Sequence, residues 1–229
     1  MSDETRPREL AVEPARHRDT GLGLWSFAQR VEVRCKRCDR PGAVTASWVE
    51  RRWTTRYVCT HCGLEARSER HDWLGPVRLW GRRPCGYCGH QWLHVNERRD
   101  DEAGSAQVPD LYSSPGFGRL ARTCPICGRS SMVEVSAQRL HVADGRDPHF
   151  GLPLRLIETT SAGPLWVYNR AHLEELRRYV GAQQRERRVL ANRSMISRLP
   201  TWIKLARNRG YVLRMLDRLQ LRLSISDEA

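Results

Sequence analysis

The sequence predicts an α+β fold in which two small β-modules are followed by a β-hairpin and a C-terminal helical region. Three observations carry this expectation. All eight cysteines fall into Cys-x-x-Cys pairs: Cys35/Cys38, Cys59/Cys62, Cys85/Cys88 and Cys124/Cys127. Short segments that alternate apolar and polar residues flank those pairs, which is the period of a half-buried strand. Beyond residue 169, apolar residues recur at spacings of three and four, which is the period of a helix face.

Residues 1–24 mix Asp, Glu, Arg and Pro with few large apolar side chains, and read as a disordered tail. The first residues lack the apolar core of a signal peptide, and no stretch approaches the roughly 18 consecutive apolar residues of a membrane span. A cytoplasmic location with no membrane association is therefore expected. In a reducing compartment, paired cysteines point to metal ligands rather than disulfides.

The first module is expected over residues 25–75. Segments 29–34, 43–49 and 56–58 read as strands, the first and third leading into Cys35 and Cys59. A second module over 76–140 repeats the plan, with strands at 91–95 and 132–135 and the stretch from Trp73 to Trp80 as a spacer. Residues 96–118 are polar and rich in Asp, Gly, Ser and Pro, as expected of an insertion at a hairpin tip. Over 148–229, segments 152–157 and 165–168 read as two strands joined through Thr159-Thr160-Ser161-Ala162-Gly163. Asn169 follows as a helix N-cap candidate. A last helix presents Val212, Met215, Leu216, Leu219 and Leu223 on one face, giving the C-terminal part a small core of its own.

Strand, Cys-x-x-Cys turn, strand and a further Cys-x-x-Cys turn make a zinc ribbon. Zn²⁺ takes four ligands tetrahedrally, and a two-residue gap lets both sulfurs of one turn face a common point. The residues between Cys38 and Cys59 suit a site built from two such pairs. The longer separation of Cys88 from Cys124 fits if the polar insertion loops out. Cys62-Gly63, Cys88-Gly89 and Cys127-Gly128 place glycine where each knuckle turns back, whereas Cys38-Asp39-Arg40-Pro41-Gly42 turns through a longer segment. Two Zn²⁺ ions are expected, one held by Cys35, Cys38, Cys59 and Cys62, the other by Cys85, Cys88, Cys124 and Cys127.

A cross-braced arrangement, first pair with third and second with fourth, uses the same ligands and stays open at this point. A thioredoxin-like role needs a βαβ context that the chain lacks, and flanking strands with glycine-bearing knuckles favour zinc over an iron–sulfur cluster. Four thiolates leave no open position for a reacting water, which argues against metal-assisted hydrolysis. His61, His90 and His94 lie near the knuckles and read as surface or packing residues.

The formal net charge is +13, falling to about +9 when two sites of four thiolates and one Zn²⁺ are filled. A basic chain favours acidic partners. Arg51, Arg52, Trp53 and Arg56 cluster between the knuckles of the first ribbon. Residues 170–229 hold 14 Arg plus Lys against 6 Asp plus Glu, with Arg177, Arg178, Arg185 and Arg188 as candidate phosphate contacts. A non-catalytic nucleic-acid-binding protein is the leading expectation. The alternative is a protein-interaction adaptor docking on a larger bacterial complex, for which the Leu199-Pro200-Thr201-Trp202 turn offers a surface unless Trp202 belongs to the core. No phosphate loop, nucleophile elbow or His-Glu-x-x-His helix is present, so no enzyme is expected. Asp100-Asp101-Glu102 reads as a solvated acidic run.

At Tyr57-Val58-Cys59-Thr60-His61-Cys62-Gly63 and Thr123-Cys124-Pro125-Ile126-Cys127-Gly128 the chain resembles zinc ribbons of the transcription-factor-IIB type. Over residues 148–222, Phe150-Gly151-Leu152-Pro153-Leu154, Leu165-Trp166-Val167-Tyr168-Asn169 and Ser197-Arg198-Leu199-Pro200-Thr201-Trp202 resemble a group of uncharacterised bacterial zinc-ribbon proteins. The resemblance implies zinc binding and no particular activity. Members of that group often carry cysteines in the turn where this chain has Thr160-Ser161-Ala162-Gly163, so the resemblance also implies that packing around Trp166 replaces a lost knuckle here.

Overall fold

The computed structural model describes residues 16–100, 106–107, 114–141, 145–186 and 194–227. In chain order the described elements are β1 (Arg16–Arg18), β2 (Arg30–Arg34), β3 (Pro41–Val49), β4 (Arg52–Val58), β5 (Glu65–Arg67), β6 (Asp72–Trp73), β7 (Val77–Arg83) and β8 (Leu93–Arg99). They continue as β9 (Ala106–Gln107), β10 (Ser114–Thr123), β11 (Ser130–Arg139), β12 (Ile157–Glu158), β13 (Leu165–Trp166), α1 (Arg170–Gly181), β14 (Gln184–Glu186), α2 (Thr201–Lys204) and α3 (Arg209–Asp227). The fold is α+β, with the β-modules first and the helices last. Among the described residues, no helix is long and apolar enough to cross a membrane.

Period-two alternation builds both principal sheets. The first runs in the order β2-β3-β4-β5 and is antiparallel throughout. Val31, Val33, Val44, Tyr57 and Ala66 point inward and are fully buried. Between Val49 and Arg52, Glu50 and Arg51 both adopt left-handed backbone, with φ of 49° and 64°. A two-residue turn of that kind matches the twist of the flanking strands and sets Arg51 at the hairpin tip. The second sheet runs β10-β11-β7-β8, also antiparallel. Here Val77, Leu79, Val95, Val133 and Val135 form the buried side.

β7 corrects the reading of residues 73–80 as a spacer. Val77, Leu79 and Gly81 face in while Arg78, Trp80 and Arg82 face out, so from Val77 onward the chain forms an inner strand that pairs with both β8 and β11. Gly81 is required by packing, because a Cβ there would meet the Glu134 carbonyl oxygen at 2.1 Å. The insertion expected at 96–118 is shorter than its composition suggests, since β8 reaches Arg99 and β10 begins at Ser114.

Joining of the first module to the C-terminal part is the main departure from expectation. Their apolar residues form one core, in which Val31, Val33 and Tyr57 belong with Phe150, Leu154, Leu176 and Leu216. Backbone groups make the same join. Along the β2 edge, Glu32 N–H donates to Tyr168 O at 2.8 Å, Arg34 N–H to Pro153 O at 2.8 Å, and Arg155 N–H returns to Glu32 O at 3.0 Å. The C-terminal segment thus covers a sheet edge that would otherwise expose unpaired donors and acceptors. This diversion also explains why β12 and β13 pair over only two residues each. Pro153 and Arg155, expected in the hairpin, exchange hydrogen bonds with β2 instead, while Leu154 N–H donates to Gly145 O at 2.8 Å. Thr160 closes the turn between them by donating from its hydroxyl to Gly163 O at 2.7 Å.

Asp147 organises the approach to that edge. Its buried carboxyl accepts from the backbone N–H groups of His149 and Phe150 at 2.9 Å each, and from Leu152 N–H. Burial pushes this carboxyl above its ordinary range, against the pull of those donors. Gly151 takes a φ of 72° and lies so close to the 73–75 segment that a Cβ would meet Gly75 Cα at 2.6 Å. No other residue fits there without moving one backbone.

The expected tail is also partly built in. Residues 1–15 lie outside the described ones, but β1 pairs in parallel with β14. His17 is buried there, with its Nε2 3.0 Å from Glu175 Oε1 on α1. The expected helices are present. Asn169 accepts at its side-chain oxygen from His172 N–H, capping α1, and Val212, Met215, Leu216, Leu219 and Leu223 of α3 are all buried.

Candidate metal centres and the surfaces around them

Each Cys-x-x-Cys pair folds as the same backbone knuckle. The first cysteine receives a hydrogen bond at its carbonyl from the residue four positions on: Asp39, Gly63, Gly89 or Gly128 N–H, at 2.9, 2.9, 3.2 and 2.9 Å. Its own N–H donates to the residue after that, Arg40, Leu64, His90 or Arg129, at 2.8 to 2.9 Å. All four turning residues are left-handed, with φ of 55°, 72°, 72° and 69°. The first pair therefore does not turn through a longer Asp/Pro/Gly segment. Asp39 stands where the other three have glycine, and Asp is among the few residues that tolerate this backbone. Arg34 pairs with its carboxylate.

The knuckles assemble in sequence order. Cys35, Cys38, Cys59 and Cys62 converge at one end of the first sheet, and Cys85, Cys88, Cys124 and Cys127 at one end of the second, with all sulfurs of each set within 4.8 Å. Cross-bracing is thereby excluded. Cys35 Sγ lies 3.5 Å from Cys62 Sγ and Cys38 Sγ 3.6 Å from Cys59 Sγ. In the second set the Cys85–Cys127 and Cys88–Cys124 separations are 3.7 Å each. Four sulfurs at about 2.3 Å from a tetrahedral Zn²⁺ stand about 3.8 Å apart, whereas a disulfide would require about 2.05 Å. The donor sets fit two Zn²⁺ ions.

Protonation supports the same conclusion. Backbone N–H groups of Cys88 and Tyr87 bring the Cys85 thiol down to about 6. Burial works against ionising Cys59, yet the N–H groups of Cys62 and His61 bring it to about 6 as well. Although the Arg40 N–H favours a thiolate at Cys38, burial and the sulfurs of Cys59, Cys62 and Cys35 push that thiol up to about 12. Cys88 is likewise pushed to about 12. Without a cation, Cys59 and Cys85 favour the thiolate while Cys38 and Cys88 hold their protons; a dication removes that conflict. Tyr57 adds an independent sign. Its hydroxyl is buried in the core without a nitrogen or oxygen partner and faces the sulfurs of Cys35 and Cys59. A thiolate there supplies the acceptor.

The centres differ in setting. Cys35 and Cys59 belong to the core shared with the C-terminal helices, whereas Cys85 and Cys124 belong to the separate core of the second sheet, and Cys88 is exposed.

The other expected contact residues divide into three groups. Arg51, Arg52 and Trp53 line one open cleft of about 640 Å³, together with Trp25, Trp48, Arg139 and His149. Trp25 stacks on Trp53 with centroids 6.0 Å apart, and Trp48 meets Trp53 edge-on at 5.3 Å. His149 packs edge-on against Trp53 at 5.4 Å. Trp25 and Trp48 remain 54% and 58% exposed. Arg56 is exposed further along β4, on the face opposite Trp53, and lines an adjoining depression with Arg67 and Arg70.

The helix arginines do not join this cleft. Arg177 pairs with Asp217 at 2.7 Å, tying α1 to α3, and Arg178 pairs with the buried Glu175 at 2.6 Å. Arg185 is a structural residue. It donates to Lys204 O at 2.7 Å and Val180 O at 2.9 Å, and its guanidinium lies 4.6 Å from the Tyr179 ring centroid. Those bonds close the end of α1 and engage both terminal nitrogens of Arg185. Arg188 lies outside the described residues.

Sequence reasoning missed Trp25, Trp48 and His149. Trp48 pairs directly with Trp53 across β3 and β4, which hairpin register made legible. Trp25 and His149 arrive from distant segments with no local signal. Trp202 is partly buried against the shared core, which gives it a packing role. Compared with protein-family models, curated proteins and solved structures, the chain finds no match in any of the three.

Proposed function

We propose that this chain is a non-catalytic nucleic-acid-binding protein, organised by two structural zinc ribbons, which takes single strands at the tip of its first β-module. The observation that carries this reading is the convergence of Trp25, Trp48 and Trp53 with Arg51 and Arg52 on one open cleft. Indoles offer sequence-tolerant stacking faces, and arginines beside them neutralise the backbone. Arg51 has no carboxylate partner among the described residues, and the Arg52–Glu50 pair is long at 3.9 Å and highly exposed, so both cations are available at little cost. The non-catalytic part rests on ligand chemistry, because four thiolates leave zinc no position for a reacting water.

The test is a titration of the zinc-loaded chain with single- and double-stranded DNA and RNA across a salt series. Affinity for single strands should fall steeply with salt. Arg51→Ala with Arg52→Ala should flatten the slope by roughly 0.7 for each phosphate no longer neutralised. No binding to any nucleic acid at low salt overturns the reading.

An apolar hollow of about 390 Å³ favours a second reading, the protein-interaction adaptor. It is lined by Leu24, Trp166, Met195, Leu199, Pro200 and Trp202 among others. Partner binding there would change little with salt, unlike phosphate contacts.

A further inference from the structure

The outer face of the second sheet carries aromatic and cationic side chains that the proposed cleft does not use. On β7, Arg78, Trp80 and Arg82 project from this face, and the register sets them beside Arg98, Asn96 and His94 of β8 respectively. On the other flank Trp80 lies opposite Ser136 of β11. The Arg82 guanidinium lies against two indoles, 5.8 Å from the Trp80 centroid and 5.2 Å from that of Trp92. Neither indole is covered: Trp80 is 48% and Trp92 56% exposed.

Exposed tryptophan on a sheet surface is costly unless something covers it, and the neighbours here indicate what. Polar Asn96 and Ser136 flank Trp80 directly and His94 lies diagonally to it, so polar groups interrupt the apolar surface that a protein-docking patch would present. Its charge is basic. The acidic side chain on this face of β11, Glu134, is engaged by Arg119 at 3.0 Å, and Asp100 by Arg98 at 3.0 Å. Arg78 and Arg82 have no carboxylate partner among the described residues. Arg82 is held in place by ring contacts rather than by an acid, so a phosphate can reach it without displacing an ion pair.

We propose that this face is a second single-strand platform, in which unpaired bases stack on Trp80 and Trp92 while Arg82 and Arg78 contact the intervening backbone. The inference rests on the proposed function and extends it: the chain would hold one strand at two sites, the tip cleft and this sheet. A duplex is disfavoured, because its bases are already stacked on one another and offer no free π-face to an indole on a flat sheet.

The test uses the full zinc-loaded chain and a fluorescein-labelled oligo(dT) of about 15 nucleotides, the upper range of a single-strand site. Trp80→Ala and Trp92→Ala should each weaken binding about tenfold, and Arg82→Ala should weaken it with a shallower salt dependence. Trp80→Phe, which keeps a stacking ring, should restore most of the loss. Because these side chains are exposed, all variants should keep two zinc ions and the wild-type circular dichroism. Photocrosslinking of the wild-type chain to an oligonucleotide carrying 5-iodouracil adds a readout independent of mutation, with adducts expected on Trp80 or Trp92. Unchanged affinity in the alanine variants, with crosslinks confined to Trp25, Trp48 and Trp53, overturns this inference and leaves the tip cleft standing. Absence of binding by the wild-type chain overturns both.

Discussion

The side-chain amide of Asn169 reaches across to the strand-entry segment, its Nδ2 donating to Arg30 O at 2.6 Å and to Phe27 O at 2.7 Å. Its oxygen meanwhile accepts from His172 N–H at 3.0 Å, so one side chain caps α1 and pins that helix to the start of β2. Asn169→Ala removes the cap and leaves two carbonyls short of a donor, which should cost roughly 2 kcal/mol. Asn169→Asp keeps the cap but sets a carboxylate oxygen against those two carbonyls, so it should be at least as destabilising. Urea midpoints of the zinc-loaded proteins check the order.

The two zinc centres should differ in what depends on them. Cys59→Ser disturbs a site set in the shared core, and should expose amides of α1 and α3 as well as those of the first sheet. Cys124→Ser should release protection from β7, β8, β10 and β11 while the shared core stays closed. Hydrogen exchange read by mass spectrometry distinguishes these patterns. With Cys88 exposed, a chelator should also empty the second site first.

Acid should destabilise the fold partly through His172. Burial lowers its pKa from 6.5 to about 3, and its Nδ1 accepts from Tyr168 N–H at 3.2 Å, so it is neutral when folded. Between about pH 6.5 and 3 the unfolded chain binds a proton that the folded chain refuses. Stability is therefore unaffected above pH 6.5 and falls as pH drops below it. His172→Asn keeps an acceptor for Tyr168 N–H but does not titrate there. Its unfolding free energy should start lower and decline less steeply between pH 6.5 and 5.5, as denaturant titrations would show.

Arg185→Ala should reduce stability by roughly 2 kcal/mol, because it strands the Val180 and Lys204 carbonyls and removes a cation from the Tyr179 ring. Affinity of the folded variant for oligo(dT) should match the wild type. Trp53→Ala should differ by weakening binding at the tip cleft, together with a loss of stability from its ring contacts with Trp25, Trp48 and His149.

What was legible in the sequence was local. The eight ligands follow from the Cys-x-x-Cys spacing, and three knuckles are marked by glycine at the left-handed position. The first hid its turn because Asp39 occupies that position instead. α3 could be read from its apolar face, since helix period and burial agree along one element. The long-range joins left no such trace. Nothing near Val33 announces that its strand edge will be covered by residues 153–155, and nothing near His17 points to Glu175. Charge alone does not separate surroundings for a related reason: Arg51 and Arg185 look alike in sequence. One sits at an exposed tip and the other closes a helix end, a distinction made only by which carbonyls come within reach.

Metal content is the most direct test of the central claim, that two closed Cys₄ sites organise this fold. Protein purified without added metal should contain two zinc ions per chain by mass spectrometry of the intact protein and by elemental analysis. Cys59→Ser and Cys124→Ser should each lower that number to one. Fewer than two zinc ions in the wild-type chain with no other metal present, or full zinc content retained by either serine variant, would contradict it.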